Sequence, residues 1–476
     1  MEQHSAEFLA NAETALAEPE HAQLREAMGL FGPALRSAAV NAYGDFDALR
    51  EQLHAVRRHT LDHLDVYLDR YLEAATENGN TVHFAETPED LNRTVEAICR
   101  EHGARRIIKG KSMVTEESAL NDHLTAAGFA VRETDLGEYI IQEAGETPSH
   151  IVGPALHKTK DEIRDLFLAR HELGERPLES AGEMVREARQ VLREEFLGGD
   201  VGIIGANALV AETGYSLLVT NEGNGDLCAN LPPVLIVCTT LERLLPRMSD
   251  AADLLRLLAR SATGQPVTCY TSFYSGPRQP GDADGPVETH IVLLDNRRTE
   301  ILASDYSDIL QCVRCGACLN HWPIYVAAGG HAYGWVYPGP VGSVLTPLLT
   351  SLEESHLLPN ACTACGRCAE VCPANIPLPD LLRDLRQEER DQALSPAGWR
   401  RGLALHARLL RHPWLYHRLT GIAARLLQLA ARGRGVLTRV PFAAGFLSER
   451  DLPAPTGASF MARYRGPHGR SEEHTS

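Results

Sequence analysis

The sequence predicts an α/β domain followed by a mainly helical module that gathers iron–sulfur clusters. Two observations carry this prediction. Short apolar runs alternate with amphipathic stretches from about residue 60 to residue 300, and seven of the eleven cysteines fall between Cys312 and Cys372. Alternating strands and helices point to a layered domain with a largely parallel sheet, because parallel neighbours need crossover helices.

The elements follow in order. Residues up to about Asn78 read as helical and charged, with Leu61, Leu64, Tyr67, Leu68 and Tyr71 on one face. A strand at 81–84 precedes a helix that opens on Thr87-Pro88-Glu89-Asp90, an N-cap with proline in the first turn. A second strand spans 106–109, and Thr115 is expected to cap a helix that stops near Gly128. Apolar runs at 201–204, 216–220, 234–239 and 290–294 alternate with helical stretches near 158–171, 181–195 and 241–259. After Ile301 β-branched runs thin out, and an apolar helix around 341–358 separates two cysteine groups. The expected segments are a helical region 1–78, an α/β domain 79–300, a dicluster module 301–391 and a basic helical region 392–469.

The second cysteine group reads Cys362-Thr-Ala-Cys365-Gly-Arg-Cys368-Ala-Glu-Val-Cys372-Pro373, the C-x2-C-x2-C-x3-C-P run of bacterial ferredoxins. The first reads Cys312-Val-Arg-Cys315-Gly-Ala-Cys318-Leu-Asn-His321-Trp322-Pro323, with tryptophan at the fourth position. In two-cluster ferredoxins the cysteine beside proline ligates the other cluster. Cys312, Cys315, Cys318 and Cys372 are therefore expected to hold one [4Fe–4S] cluster. Cys362, Cys365 and Cys368 hold a second, either [4Fe–4S] or [3Fe–4S], with His321 as a candidate substitute ligand. Indole offers only a donor N–H, so Trp322 itself cannot ligate. One base change turns a cysteine codon into a tryptophan codon, and a sequence error at position 322 stands as the alternative. Structural zinc is the competing reading, but it has no use for a third cysteine in each run. Chain length and the lack of a secretory signature argue against a disulfide framework. Cys99, Cys238 and Cys269 read as small buried hydrophobes, and Cys228 follows a Gly-rich loop.

The formal charge of −17 argues against general nucleic-acid binding. No apolar run reaches the length of a membrane span, and the first residues lack a leader pattern, so the expected location is cytoplasmic. Between Gln392 and Val440 there are nine arginines and no acidic residue or lysine. Leu415, Leu419, Ile422, Leu426 and Leu429 recur at helical spacing, with Arg411, Arg418, Arg425 and Arg432 at every seventh position. Such a helix packs on its own domain, docks a partner, or lies peripherally on the inner face of the cell membrane. The tail 470–476 reads like a translated sequencing adapter and is set aside from the fold.

Two loop motifs suggest a pocket in the α/β domain. Gly110-Lys111-Ser112 resembles the end of a phosphate loop, but Arg105 stands where the first glycine belongs. Asn221, Glu222 and Asn224 lie in a Gly-rich turn just after Glu212, and glycine there lets backbone approach a ligand. A capped turn and a tight polar turn explain the same letters. No dinucleotide fingerprint is present, and no catalytic residue is assigned.

Several motifs together resemble the lactate utilisation protein B family. They are Gly110-Lys-Ser-Met-Val-Thr-Glu-Glu117, Glu133-Thr-Asp-Leu-Gly-Glu-Tyr-Ile-Ile-Gln142, Pro148-Ser-His-Ile151, His157-Lys-Thr-Lys160, Ala211-Glu-Thr-Gly214, Thr220-Asn-Glu-Gly-Asn-Gly225 and Gly329-Gly-His-Ala-Tyr-Gly-Trp-Val-Tyr-Pro-Gly-Pro340. The resemblance implies a LUD domain of the sugar-isomerase and formyltetrahydrofolate cyclo-ligase type, then a 4Fe-4S ferredoxin-type module. It also implies a three-protein complex that oxidises L-lactate to pyruvate, in which this subunit is expected to relay electrons to an acceptor rather than to catalyse, since no organic redox cofactor site is visible. In the family, position 322 looks like a cysteine ligand. Two alternatives remain: a LUD domain catalytic on a small anionic substrate through Lys111, Glu212 and Glu222, and a docking scaffold for the complex.

Overall fold

A computed structural model describes residues 3–431, 433–440 and 451–464. Arg432 and the adapter-like tail lie outside the described residues. Residues up to Glu389 form one compact unit and those from Arg390 a second.

The first unit is built on a six-stranded parallel sheet. Its strands are β1 (Thr81–Ala85), β2 (Arg106–Lys109), β3 (Ala130–Glu133), β4 (Val201–Gly205), β7 (Val234–Thr240) and β10 (Glu288–Leu294). Their spatial order is β1-β10-β7-β4-β2-β3, parallel throughout. The central strands are buried along their whole length, which is why they read as unbroken apolar runs rather than alternating ones. At Gly202 the helix Asn224–Asn230 presses so close that a Cβ would stand 1.9 Å from the Cys228 carbonyl oxygen.

A second sheet was not expected. It orders β8 (Leu244–Leu245), β5 (Ala208–Val210), β6 (Tyr215–Thr220) and β9 (Tyr270–Tyr274). The run at 216–220 belongs here, not to the parallel sheet. Gly214, at φ +70°, reverses the chain so that β6 pairs antiparallel with β5. Apolar alternation marks a strand but does not name its neighbour.

Several helix limits differ from expectation. Ser112, not Thr115, caps Met113–Glu117, and Thr115 is buried as an acceptor for the Lys109 ammonium at 2.9 Å. Ala119, in the left-handed region, separates that turn from Leu120–Ala126. The stretch near 241–259 divides into the turn Leu241–Arg243 and the helix Met248–Ala262. The apolar stretch at 341–358 breaks into Gly339–Leu349, Leu352–Ser355 and Leu357–Asn360. Cys99 and Cys238 are buried as expected, Cys228 is buried as well, and Cys269, against expectation, is exposed in the loop before β9.

The charged N-terminal region forms the helices Pro19–Asn41, Phe46–Asp62 and Leu64–Glu77. Leu61 and Tyr71 are buried, and Leu64, Tyr67 and Leu68 pack against the core of the sheet. Phe46–Asp62 lies against Met248–Ala262 and the turn Ser307–Gln311, at the threshold of the cysteine loops.

In the second unit Ala397–Leu410 and Pro413–Ala430 pack on one another and bury none of their side chains. Leu419, Ile422, Leu426 and Leu429 remain exposed, so the leucine stripe is not spent on an internal core.

Glu117 ties the sheet to the cysteine module. It accepts from Arg298 at 3.0 and 2.8 Å, from Asn296 at 2.6 Å and from the Tyr337 hydroxyl at 2.6 Å. Removing one partner of a buried pair leaves an uncompensated charge. Glu117→Ala is expected to cost roughly 3–5 kcal/mol, read as a lowered urea midpoint under anaerobic conditions. Tyr337→Phe, which loses one hydrogen bond to a charged group, should cost about 1.5–3 kcal/mol.

Candidate iron–sulfur centre and the adjoining cavity

The two cysteine loops share one backbone course. Arg314 and Gly316 take φ of 57° and 73°, and Ala364 and Gly366 take 56° and 77°. In each loop the amide two residues on points back to the first sulfur: Arg314 N to Cys312 Sγ at 3.4 Å and Ala364 N to Cys362 Sγ at 3.2 Å. A short helical turn follows, Ala317–Asn320 or Arg367–Glu370, and then an amide bonded back into that turn. Those amides belong to Trp322, bonded to Leu319 O at 3.0 Å, and Cys372, bonded to Ala369 O at 3.2 Å. Trp322 thus occupies the place that Cys372 has in the other loop. Its indole is buried and donates to the Ala361 carbonyl at 3.1 Å, beside Cys362.

The thiols group across the loops as well as within them. Cys372 lies near Cys312 and Cys315, and Cys318 near all three. Cys368 lies near Cys362 and Cys365, and Cys318 also senses Cys368. The groups are therefore adjacent. Burial pushes the Cys315 and Cys368 thiols up to about 12 and Cys372 up to about 11, with neighbouring thiols adding to the rise. Cys318 moves well above the ordinary thiol range for the same reasons. Such thiols ionise only against a metal, so loading releases protons.

The donor set fits clusters better than single zinc ions. A tetrahedral zinc with bonds of ~2.3 Å needs sulfurs about 3.8 Å apart. Among the described residues, the one trio of such ligands with donor atoms within 4.8 Å of one another is His102, Glu288 and His290, away from the cysteines. The third cysteine in each run has a use as a corner of a cube and none in a C-x2-C zinc site. Arg314 supports an anionic group at the first loop. It is buried beside Cys312, and its Nε and Nη1 have no hydrogen-bond partner in the protein.

Cations reach both loops from elements far away in sequence. Arg50 donates to the Cys372 carbonyl at 2.9 Å and Arg36 to Val371 O at 2.9 Å. Arg57 donates to Leu310 O at 2.7 Å and Arg243 to Cys312 O at 3.4 Å. Sequence reasoning missed these four, because basic residues on amphipathic helices carry no local mark of a cluster shell. The second loop is more open: Cys365 is exposed, and Arg386 donates to Pro359 O and Cys362 O. His321 spends Nδ1 on the Ala317 carbonyl at 2.8 Å.

Lys111, Ser112, Asn221, Glu222 and Asn224 come together around a cavity of about 280 Å³. Lys111 Nζ donates to Val152 O at 2.7 Å, and Glu222 accepts from Leu136 N at 3.2 Å. Glu212 is not in this wall; it accepts from Met248 N and caps a helix. Arg243, Arg314 and Cys315 complete the wall, so the cavity touches the first cysteine loop.

Comparison with known proteins follows this geometry. "Lactate utilization protein B" of Exiguobacterium sp. is 41% identical over 92% of this chain and 91% of its own. The protein of that name from Bacillus velezensis is 46% identical over 74% of each chain. The chain belongs to the lactate utilization protein B family. "Uncharacterized electron transport protein YkgF" of Escherichia coli is similar at 40% identity, over 91% of this chain and 90% of that one. Residues 68–294 match the LUD domain and residues 308–376 the 4Fe-4S dicluster domain. The family motifs around Ser149, His157, Lys158 and His331 converge on a second cavity, of about 870 Å³. There the His157 and His331 rings meet at 4.5 Å. The letters alone did not join the His331 motif to the others, since it lies more than a hundred residues further along the chain.

With Cys372 grouped with the first loop, Cys372→Ser is expected to strip about four irons from the chain and spare the other cluster. Iron and sulfide analysis of the anaerobic variant checks this; equal loss from both sites would contradict the grouping.

Proposed function

We propose that this chain is the iron–sulfur electron-transfer subunit of a lactate-utilising complex, passing electrons from lactate oxidation to an acceptor. The observation that carries the reading is the pair of matched cysteine loops set side by side, one flanked by Arg57 and Arg243 and one reaching the surface at Cys365. The relatives' printed names support the lactate context. When bound, the clusters supply one-electron redox chemistry. Cys312, Cys315, Cys318 and Cys372 hold the first, and the arginines offset its negative charge. Cys362, Cys365 and Cys368 hold the second.

Trp322 fills the fourth corner with a side chain that cannot ligate. The second cluster is then short of one thiolate, which makes it less negative and easier to reduce than a four-cysteine cluster. The arginines around the first loop push the same way for that site. They stand beyond the ligand shell and are partly offset by Glu242, so the lost thiolate has the larger effect. Anaerobic protein should show a [3Fe–4S] signal by electron paramagnetic resonance on oxidation, and Trp322→Cys should raise iron content and remove that signal. Two equivalent [4Fe–4S]⁺ signals in the unaltered chain would sink the irregular-cluster assignment.

The exposed leucine stripe and arginines of the second unit suit docking to another subunit of the complex. Among the described residues no helix is long and apolar enough to cross a membrane. Deleting 392–440 is expected to abolish co-purification with the partner subunits and to leave the iron content unchanged. Retained co-purification would remove docking from this region.

A further inference from the structure

The amino ends of β1 and β10 carry a histidine cluster that the electron relay does not use. The two strands are neighbours, with Thr81 opposite His290 and His83 opposite Val292. Side chains alternate between the faces of a strand, so Glu288, His290 and Val292 share one face of β10, and His83 lies on that face of β1. The helix Pro88–Glu101 covers it: its Val95, Ile98 and Cys99 belong to one apolar cluster with Val292. His102 ends this helix and stands over the start of β10. Its Nε2 lies 3.4 Å from one Glu288 oxygen, and His290 Nε2 lies 3.6 Å from the other. All three donor atoms fall within 4.8 Å of one another. A histidine at a helix end suits the helix dipole, but that accounts for one of the three donors.

Hydrogen bonding does not account for the rest. His290 is only 5% exposed, and its Nε2 has no hydrogen-bond partner. Both contacts to Glu288 are long for hydrogen bonds. They do suit two ligands of one ion, since bonds of ~2.0–2.1 Å in a tetrahedral site set ligand atoms about 3.4 Å apart. The other nitrogen of the His290 ring, Nδ1, stands 3.1 Å from His83 Nε2. With Nδ1 donating to His83, the lone pair of Nε2 faces the trio, the arrangement that orients metal-bound imidazoles. Calcium and magnesium want oxygen ligands, whereas two imidazoles and a carboxylate suit zinc and its neighbours.

We propose that His102, Glu288 and His290 bind a divalent transition ion of the zinc class, with His83 orienting His290. Three protein ligands leave a position open to water. The ion ties the end of the helix Pro88–Glu101 to the start of β10, and no chemical step is assigned to it. Gly110 and Gly205, at the carboxyl ends of β2 and β4, line the cavity that touches the first cysteine loop. In a parallel sheet the histidine cluster therefore lies at the opposite end, and the site stands independently of the relay.

The test uses the full chain, purified anaerobically with its clusters in place, treated with EDTA and titrated with Zn²⁺ in a calorimeter. One site of micromolar affinity or tighter is expected, with iron content unchanged, and saturating Zn²⁺ should raise Tm. His102→Gln and Glu288→Gln, on the more exposed side chains, should each weaken binding by about tenfold or more and remove the rise in Tm, while the iron content reports that the fold is kept. His83→Phe, which touches no ion, should weaken binding about tenfold and leave the zinc-free Tm in place. No saturable heat would overturn the site. The same affinity in both ligand variants would also overturn it, placing the ion on a thiol such as the exposed Cys269. An unchanged affinity in His83→Phe would overturn the orienting role.

Discussion

Two buried carboxylates, Glu117 and Glu242, stand among Arg298, Arg243 and Arg314, and this charged knot joins the parallel sheet to the first cysteine loop. Burial alone would raise both acids. The Arg298 guanidinium holds Glu117 below the ordinary carboxylate range, and Arg298, Arg243 and Arg314 hold Glu242 down to about 2. A charge can stay ionised away from water only against partners that replace its hydration. The knot therefore fixes where β7, the turn after it and the cysteine loop lie relative to one another.

That constraint explains why the module is not a free-standing ferredoxin. Arg36, Arg50 and Arg57 reach the loops from the N-terminal helices, and Arg243 reaches them from the turn after β7. Arg57 is fully buried, and burial together with Arg243 lowers it to about 10. Excess positive charge of this kind needs an anion close by. A cluster held by four thiolates has the right sign and place.

The two halves of the cysteine module show how one scaffold diverges at a single position. Their left-handed residues, amide-to-sulfur bonds and helical turns coincide, so the backbone does not depend on the fourth ligand. Trp322 is accommodated because its indole replaces a metal bond with burial and one hydrogen bond to Ala361. The difference between the sites is thus one of ligand chemistry on a shared frame.

Five of the six parallel strands, the N-cap at Thr87, the cysteine runs and the odd tryptophan were legible from the letters, because each rests on local spacing; β3 was not. Most of the pocket residues were legible too, as polar groups set in Gly-rich turns; Glu212 misled because a helix cap and a ligand site use the same residue type. The second sheet, the break at Ala119 and the split of 341–358 were not, since strand partners and turn geometry depend on packing. By itself the sequence determined the ligand chemistry: which sulfurs exist, in what spacing, and which one is missing. Only the tertiary structure decided what surrounds them, because arginines from three distant segments reach the two loops through long-range burial that no local pattern encodes.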